Sequence, residues 1–105
     1  MKIDEIYELI AVNIFSNIKV DNWEKAVLNI QGDDNAMGIN GFCFVNGKKE
    51  CIDVNNFDDN IEFALMELHE ITTEDGSNPW NCAEYTLLPD GRFYIDFRID
   101  SELEE

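Results

Sequence analysis

Apolar residues recur along the first seventeen positions at the spacing of a helix face. Ile3, Ile6, Tyr7, Ile10 and Ile14 fall on one stripe, with Leu9 and Val12 widening it. Asp4, Glu5 and Glu8 sit early, where a helix N-terminus favours negative charge. The spacing predicts a helix over 3–17. After Asn22 the period shortens to two. Ala26, Leu28 and Ile30 alternate, so Trp23 to Ile30 reads as a first strand. The run QGDDNAMG, rich in Gly, Asp and Asn, reads as a loop. Met37 to Val45 and Lys48 to Val54 flank Asn46-Gly47, a pair suited to a type I′ turn because both central residues need positive φ. A second hairpin follows from that.

Asn55-Asn56 offers an N-cap, and the pattern predicts a second helix from about Phe57 to Thr72. Ile61, Ala64, Leu65, Leu68 and Ile71 form its apolar stripe, with Asp58, Asp59 and Glu62 near its positive end. TTEDGSNP closes it. A last hairpin turns at Pro89-Asp90-Gly91, a type I turn followed by a left-handed glycine, which sets Leu88 against Arg92. Counted back from there, Ala83, Tyr85 and Leu87 share a core face with Phe93, Ile95 and Phe97. The other face carries Cys82, Glu84, Thr86 and Leu88 against Arg92, Tyr94, Asp96 and Arg98. The register places Glu84 directly across from Asp96, a like-charge pair that destabilises by about 0.2–1 kcal/mol. Arg92 and Arg98 are diagonal partners able to soften it.

The order is α-β-β-β-α-β-β. It predicts one α+β domain spanning 1–105, with a largely antiparallel sheet of about five strands covered by two helices. In the Asn-Gly hairpin, Ile39, Cys43, Ile52 and Val54 line one face and Phe42 and Phe44 the other, beside Lys49 and Asp53. Either both faces are partly covered or an aromatic patch is exposed. Burial of the two phenylalanines is the expectation.

Composition sharpens the functional reading. Asp and Glu number 23 against 7 Lys and Arg, for a net charge of -16. Such a field repels nucleic acid and anionic membranes and attracts a basic protein. No apolar run is long enough to span a bilayer, and the N-terminal residues show no signal-peptide pattern, so a cytoplasmic protein is expected. Cys43, Cys51 and Cys82 are odd in number and widely spaced, which argues for reduced thiols rather than a disulfide framework or a zinc site.

Enzyme chemistry is thinly represented. The single histidine, His69, reads as a helix-surface residue, no nucleophile pattern surrounds it, and no glycine-rich phosphate loop is present. Asp33, Asn35 and Gly38 begin like a calcium loop. Met37, however, stands at an oxygen-ligand position and Phe44 where the bidentate glutamate belongs, so no EF-hand is expected. Glu84 with Asp96 makes at best a weak cation site. No catalytic residue, metal or cofactor is therefore expected. The acidic outer face of the last hairpin is the candidate docking surface, with Glu84, Asp96 and Asp100 to meet Arg and Lys, and Tyr94 and Trp80 as aromatic anchors. Hydrophobic packing is the preferred role for Trp80.

The run Trp80, Tyr85-Thr86-Leu87, Asp90-Gly91-Arg92-Phe93, Ile95-Asp96-Phe97 and Asp100 resembles the C-terminal signature of YezG-like immunity proteins, bacterial antitoxins of polymorphic toxin systems. The N-terminal helix and Trp23-Glu24-Lys25 fit the same pattern. The chain departs from it at Ile99, where an aromatic residue is usual, and at Leu103, which falls late. The resemblance implies a non-enzymatic cytoplasmic protein that neutralises a toxin, often a nuclease, in a one-to-one complex. A nuclease domain is usually basic, and the charge here is complementary. The alternative from charge alone is an acidic adaptor or nucleic-acid mimic that occupies DNA- or RNA-binding proteins. A small enzyme or metal binder using the clustered carboxylates is the third reading.

Overall fold

The computed structural model describes residues 1–32, 36–76 and 78–100. Helix α1 covers Ile3–Asn17 and helix α2 Ile61–Thr73. The strands are β1 Trp23–Gly32, β2 Met37–Val45, β3 Lys48–Ile52, β4 Cys82–Leu87 and β5 Phe93–Arg98. They form one antiparallel sheet in the order β3-β2-β1-β4-β5, so β1 is central and β3 and β5 are the edges. The chain is a single α+β domain with the element order read from the sequence.

Both helices lie on one face. Ile6, Ile10 and Ile14 of α1 and Ile61, Ala64, Leu65 and Leu68 of α2 are buried with Ala26, Leu28, Ile30, Cys43, Ala83, Tyr85 and Leu87 of the sheet. The Lys2 backbone N–H donates to Glu5 Oε1 at 3.0 Å, which closes the first turn of α1. Val12 stays 53% exposed and Ile71 36%, so neither stripe is as broad as its sequence suggests. Asn13, which the periodicity treats as a polar interruption, is buried. Its Nδ2 donates to Leu9 O at 2.8 Å and its Oδ1 accepts from the Asp58 N–H at 2.6 Å. One side chain thereby ties α1 to the approach of α2.

That approach corrects the expected start of α2. Residues 57–60 are not helical. Val54–Asn56 form a 3₁₀ turn capped by Asp53, whose Oδ1 accepts from the Asn55 N–H at 3.0 Å. Asp58 Oδ1 then accepts from the Asn60 N–H at 2.8 Å. Each carboxylate offers its neighbouring backbone a local alternative to the helix, so Asn55 and Asn56 do not cap α2 and the helix begins at Ile61. Phe57 is buried in the connection rather than on the helix. Strand β3 likewise stops at Ile52, short of Val54.

The first long hairpin runs further than expected. Gln31 and Gly32, read as loop, are strand residues paired with Gly38 and Met37, where the second strand begins as expected. Asp33, Asp34 and Asn35 lie outside the described residues, and with them part of the calcium-loop comparison. Gly32 has φ +142, and a Cβ there would collide with the Ala36 carbonyl. Gly32→Ala is therefore expected to lower stability by about 1–3 kcal/mol in urea unfolding. A variant with wild-type stability would contradict that reading of the turn. Asn46 and Gly47 both have positive φ, as a type I′ turn needs. At the last turn Leu88 N donates to Arg92 O at 2.8 Å and Gly91 N to Leu88 O at 3.0 Å, the expected left-handed-glycine hairpin.

Candidate partner-binding surface

The helices leave the second face of the sheet uncovered. Register defines what it shows. One row crosses all five strands: Cys51, Phe42, Val27, Thr86 and Tyr94. Val27 and Thr86 are buried at its centre although no described helix covers them, side by side between Phe42 and Tyr94. Phe42 and Phe44 are half-buried, meeting edge to face at 5.5 Å. Lysine stems supply their cover. Lys49 Nζ stands 4.0 Å over Phe42 and Lys25 Nζ 5.1 Å over Phe44. The expectation that a second layer buries these rings is thus replaced by a cation-capped pair on an open face.

At the other end of this face, Glu84 opposes Asp96 as the sequence register required. Arg98 lies diagonally and its Nη2 approaches Glu84 Oε2 at 3.9 Å, with both side chains about half exposed. Arg92 does not share in this. Its Nε pairs with Asp90 Oδ2 at 2.7 Å in the turn. The Asp90 carboxyl is held below its ordinary value chiefly by the Arg92 backbone N–H, against an opposing desolvation, with smaller help from the Arg92 guanidinium. Asp96 has no ion pair among the described residues. Asp96→Asn is expected to raise stability by about 0.2–1 kcal/mol, read as a higher urea midpoint. A lower midpoint would mean that the carboxylate makes a favourable contact.

The five sequence-predicted contact residues separate on inspection. Tyr94 is 58% exposed and stands on the open face beside Asp96 and diagonal to Glu84. Asp100 is exposed, and its backbone is clamped by Asn81, whose Nδ2 donates to Asp100 O at 2.8 Å and whose Oδ1 accepts from Asp100 N at 2.7 Å. These four lie at the β4–β5 end of the sheet. Trp80 does not join them. It is 3% exposed, with its Nε1 donating to Thr72 Oγ1 at 2.7 Å and its ring 4.7 Å from His69 and 4.9 Å from Phe97. It is a core anchor of α2 and not a surface contact. His69 is corrected with it. The imidazole is half-buried, with Nε2 2.7 Å from Trp80 O, rather than a plain helix-surface group.

The negative charge is distributed differently from the expectation of one acidic sheet face. Lys25, Lys49 and Arg98 share the open face with Glu84 and Asp96, so that face is mixed, basic toward β3 and acidic toward β5. A further set of carboxylates lies on the helical layer: Asp4, Glu5 and Glu8 of α1, and Glu62, Glu67, Glu70 and Glu74 on or next to α2. No Lys or Arg occurs between Lys49 and Arg92. Phe63 of α2, 67% exposed among these carboxylates, gave no signal in the helical stripe other than its absence from it. Self-repulsion of this kind is screened by salt over about 10 Å at 0.1 M. The melting temperature is therefore expected to rise by a few degrees from low to moderate salt, and a fall would contradict the repulsion argument.

A groove of about 340 Å³ opens where α1 meets the β4–β5 hairpin, bordered by Asp4, Tyr7, Glu8, Ala11, Tyr85 and Phe93. Among the described residues no group of three or more His, Cys, Asp or Glu is arranged to hold a metal ion. No described helix is long and apolar enough to cross a membrane. Compared with known proteins, the chain matches no protein-family model and no curated protein.

Proposed function

We propose that this chain is a cytoplasmic immunity protein of the YezG-like kind, a non-enzymatic binder that neutralises a basic, nuclease-type toxin domain in a one-to-one complex. The observation that carries the reading is the β4–β5 end of the open sheet face. There an exposed Tyr94 stands beside Asp96, which has no ion pair among the described residues, and Glu84 faces Asp96 at a cost to folding. Local rules broken without a structural gain are expected where a partner supplies the compensation. Asp100 extends the same negative edge. The C-terminal resemblance and the charge of -16 support the same partner chemistry.

The test is a binding measurement with a toxin domain encoded beside this gene. The proposal expects a one-to-one complex whose association rate falls steeply as salt rises. An association rate independent of salt would remove the electrostatic basis of the reading. Recovery of many unrelated salt-sensitive partners from a lysate would instead mark an acidic adaptor.

A further inference from the structure

The groove between α1 and the β4–β5 hairpin combines three properties. Its walls are aromatic. Tyr85 and Phe93 stack at 5.1 Å with 16° between planes, and Tyr7 meets Phe93 at 5.2 Å. Its border carries two carboxylates, Asp4 and Glu8, one turn apart on α1, and no cation among the described residues lines it. Its volume of about 340 Å³ lies at the low end of ligand-sized clefts, which run about 300–1,000 Å³. It suits one or two inserted side chains rather than a cofactor.

The groove also borders a free strand edge. Among the described residues, strand β5 pairs only with β4. The Leu88–Arg92 and Asn81–Arg98 hydrogen bonds direct the backbone groups of Arg92 and Arg98 toward β4. Antiparallel alternation then turns the N–H and C=O groups of Phe93, Ile95 and Phe97 outward, where no described strand meets them. This edge has no proline, lysine or bulge of the sort that protects edges from pairing.

We propose that the β5 edge and this groove together receive an extended segment of the partner and that an arginine of that segment enters the groove. The segment adds a strand beside β5, with backbone hydrogen bonds to Phe93, Ile95 and Phe97. Alternate side chains then fall on the two faces of the sheet. One set meets Tyr94 and Asp96 on the open face. The other turns toward α1, where a guanidinium lies against the rings of Tyr7 and Phe93 and donates to Asp4 and Glu8. Arginine fits better than lysine because a planar, weakly hydrated cation stacks on aromatic faces while donating in plane to carboxylates. The proposal rests on the immunity reading for the identity of the partner. The chemistry of the segment stands on the groove and the edge alone.

Two experiments separate those dependencies. The first uses a blocked pentapeptide, acetyl-Thr-Val-Arg-Val-Thr-amide, and the same peptide with citrulline in place of arginine, titrated into the isotopically labelled protein. The arginine peptide is expected to shift the amide signals of Tyr7, Ala11, Phe93 and Ile95 saturably. The citrulline peptide is expected to bind about tenfold more weakly, and Asp4→Asn with Glu8→Gln to reduce the arginine peptide to the citrulline level. Both carboxylates are exposed, so the variant keeps its fold. Equal binding of the two peptides would overturn the proposal in favour of a plain apolar groove. Shifts spread over Glu62, Glu67 and Glu70, or no saturable shift, would also overturn it. So would concentration-dependent shifts of these amides without peptide, which would assign the groove to a second copy of the chain.

The second experiment compares protection from the toxin. If wild type protects, loss of protection in the Asp4→Asn, Glu8→Gln variant supports the groove, and full protection excludes it while leaving the immunity reading standing. If wild type does not protect, the immunity reading fails by itself, and the peptide titration still decides the groove.

Discussion

Tyr85→Ala is expected to remove about 4 kcal/mol of unfolding free energy, a large part of the roughly 5–15 kcal/mol that holds a domain of this size. Tyr85 is fully buried in β4, paired with Leu28 on one side and Ile95 on the other. Its ring stacks on Phe93, and its hydroxyl donates to the Tyr7 carbonyl of α1 at 3.0 Å. Truncation therefore opens a cavity at the point where α1 is fastened to the sheet. Tyr85→Phe isolates the hydroxyl and is expected to lose only about 1 kcal/mol. Burial, with a smaller contribution from Tyr7, pushes the Tyr85 phenol well above its ordinary value of 10.0. The sign follows from linkage. A group whose folded pKa is raised contributes its full stability below the unfolded value and loses it as pH rises past that value. Stability is thus expected to fall above about pH 10, and less steeply in Tyr85→Phe. Urea unfolding measures all three effects, and an alanine variant within 1 kcal/mol of wild type, as an order of magnitude, would contradict the packing account.

Glu84→Lys with Asp96→Lys is expected to produce the largest functional loss. Two carboxylates on the open face become two ammonium groups, so a like-charge pair remains a like-charge pair. The Glu84–Arg98 contact at 3.9 Å is lost, but a half-exposed pair of that length is worth less than about 1 kcal/mol. The fold is therefore retained. Association with a basic toxin domain is expected to slow about tenfold at low salt, and affinity to fall about a hundredfold if both carboxylates contact the partner. Stopped-flow association and calorimetry measure these separately. Wild-type kinetics in a folded double variant would move the interface off this end of the sheet.

The parts of the architecture set by period and turn chemistry were legible in the sequence. The Asn46-Gly47 and Asp90-Gly91 turns fix register, so the opposition of Glu84 and Asp96 follows from counting residues back from the turn. The errors lie where a side chain competes locally with the backbone. Asp53 and Asp58 fold residues 53–60 into short capped turns that helix periodicity cannot register. Asn13, Trp80 and His69 depend on contacts between elements distant in sequence, and a stripe pattern says nothing about a polar side chain that finds its partner across the core. Charge shows the same limit. Its total is read directly from the sequence, but its distribution over the surface waited for the contacts that set Lys25 over Phe44 and Lys49 over Phe42 on the open face. The groove at Tyr7 and Phe93 was invisible for the same reason, since α1 and β5 stand at opposite ends of the chain.

Survival measures most directly the proposed role of holding a basic toxin. Cells expressing the toxic domain encoded next to this gene are plated with and without co-expression of the protein. The account predicts survival with wild type, copurification of the two proteins, and death with the folded Glu84→Lys, Asp96→Lys variant. Death with abundant, folded wild-type protein and no copurifying toxin would contradict it.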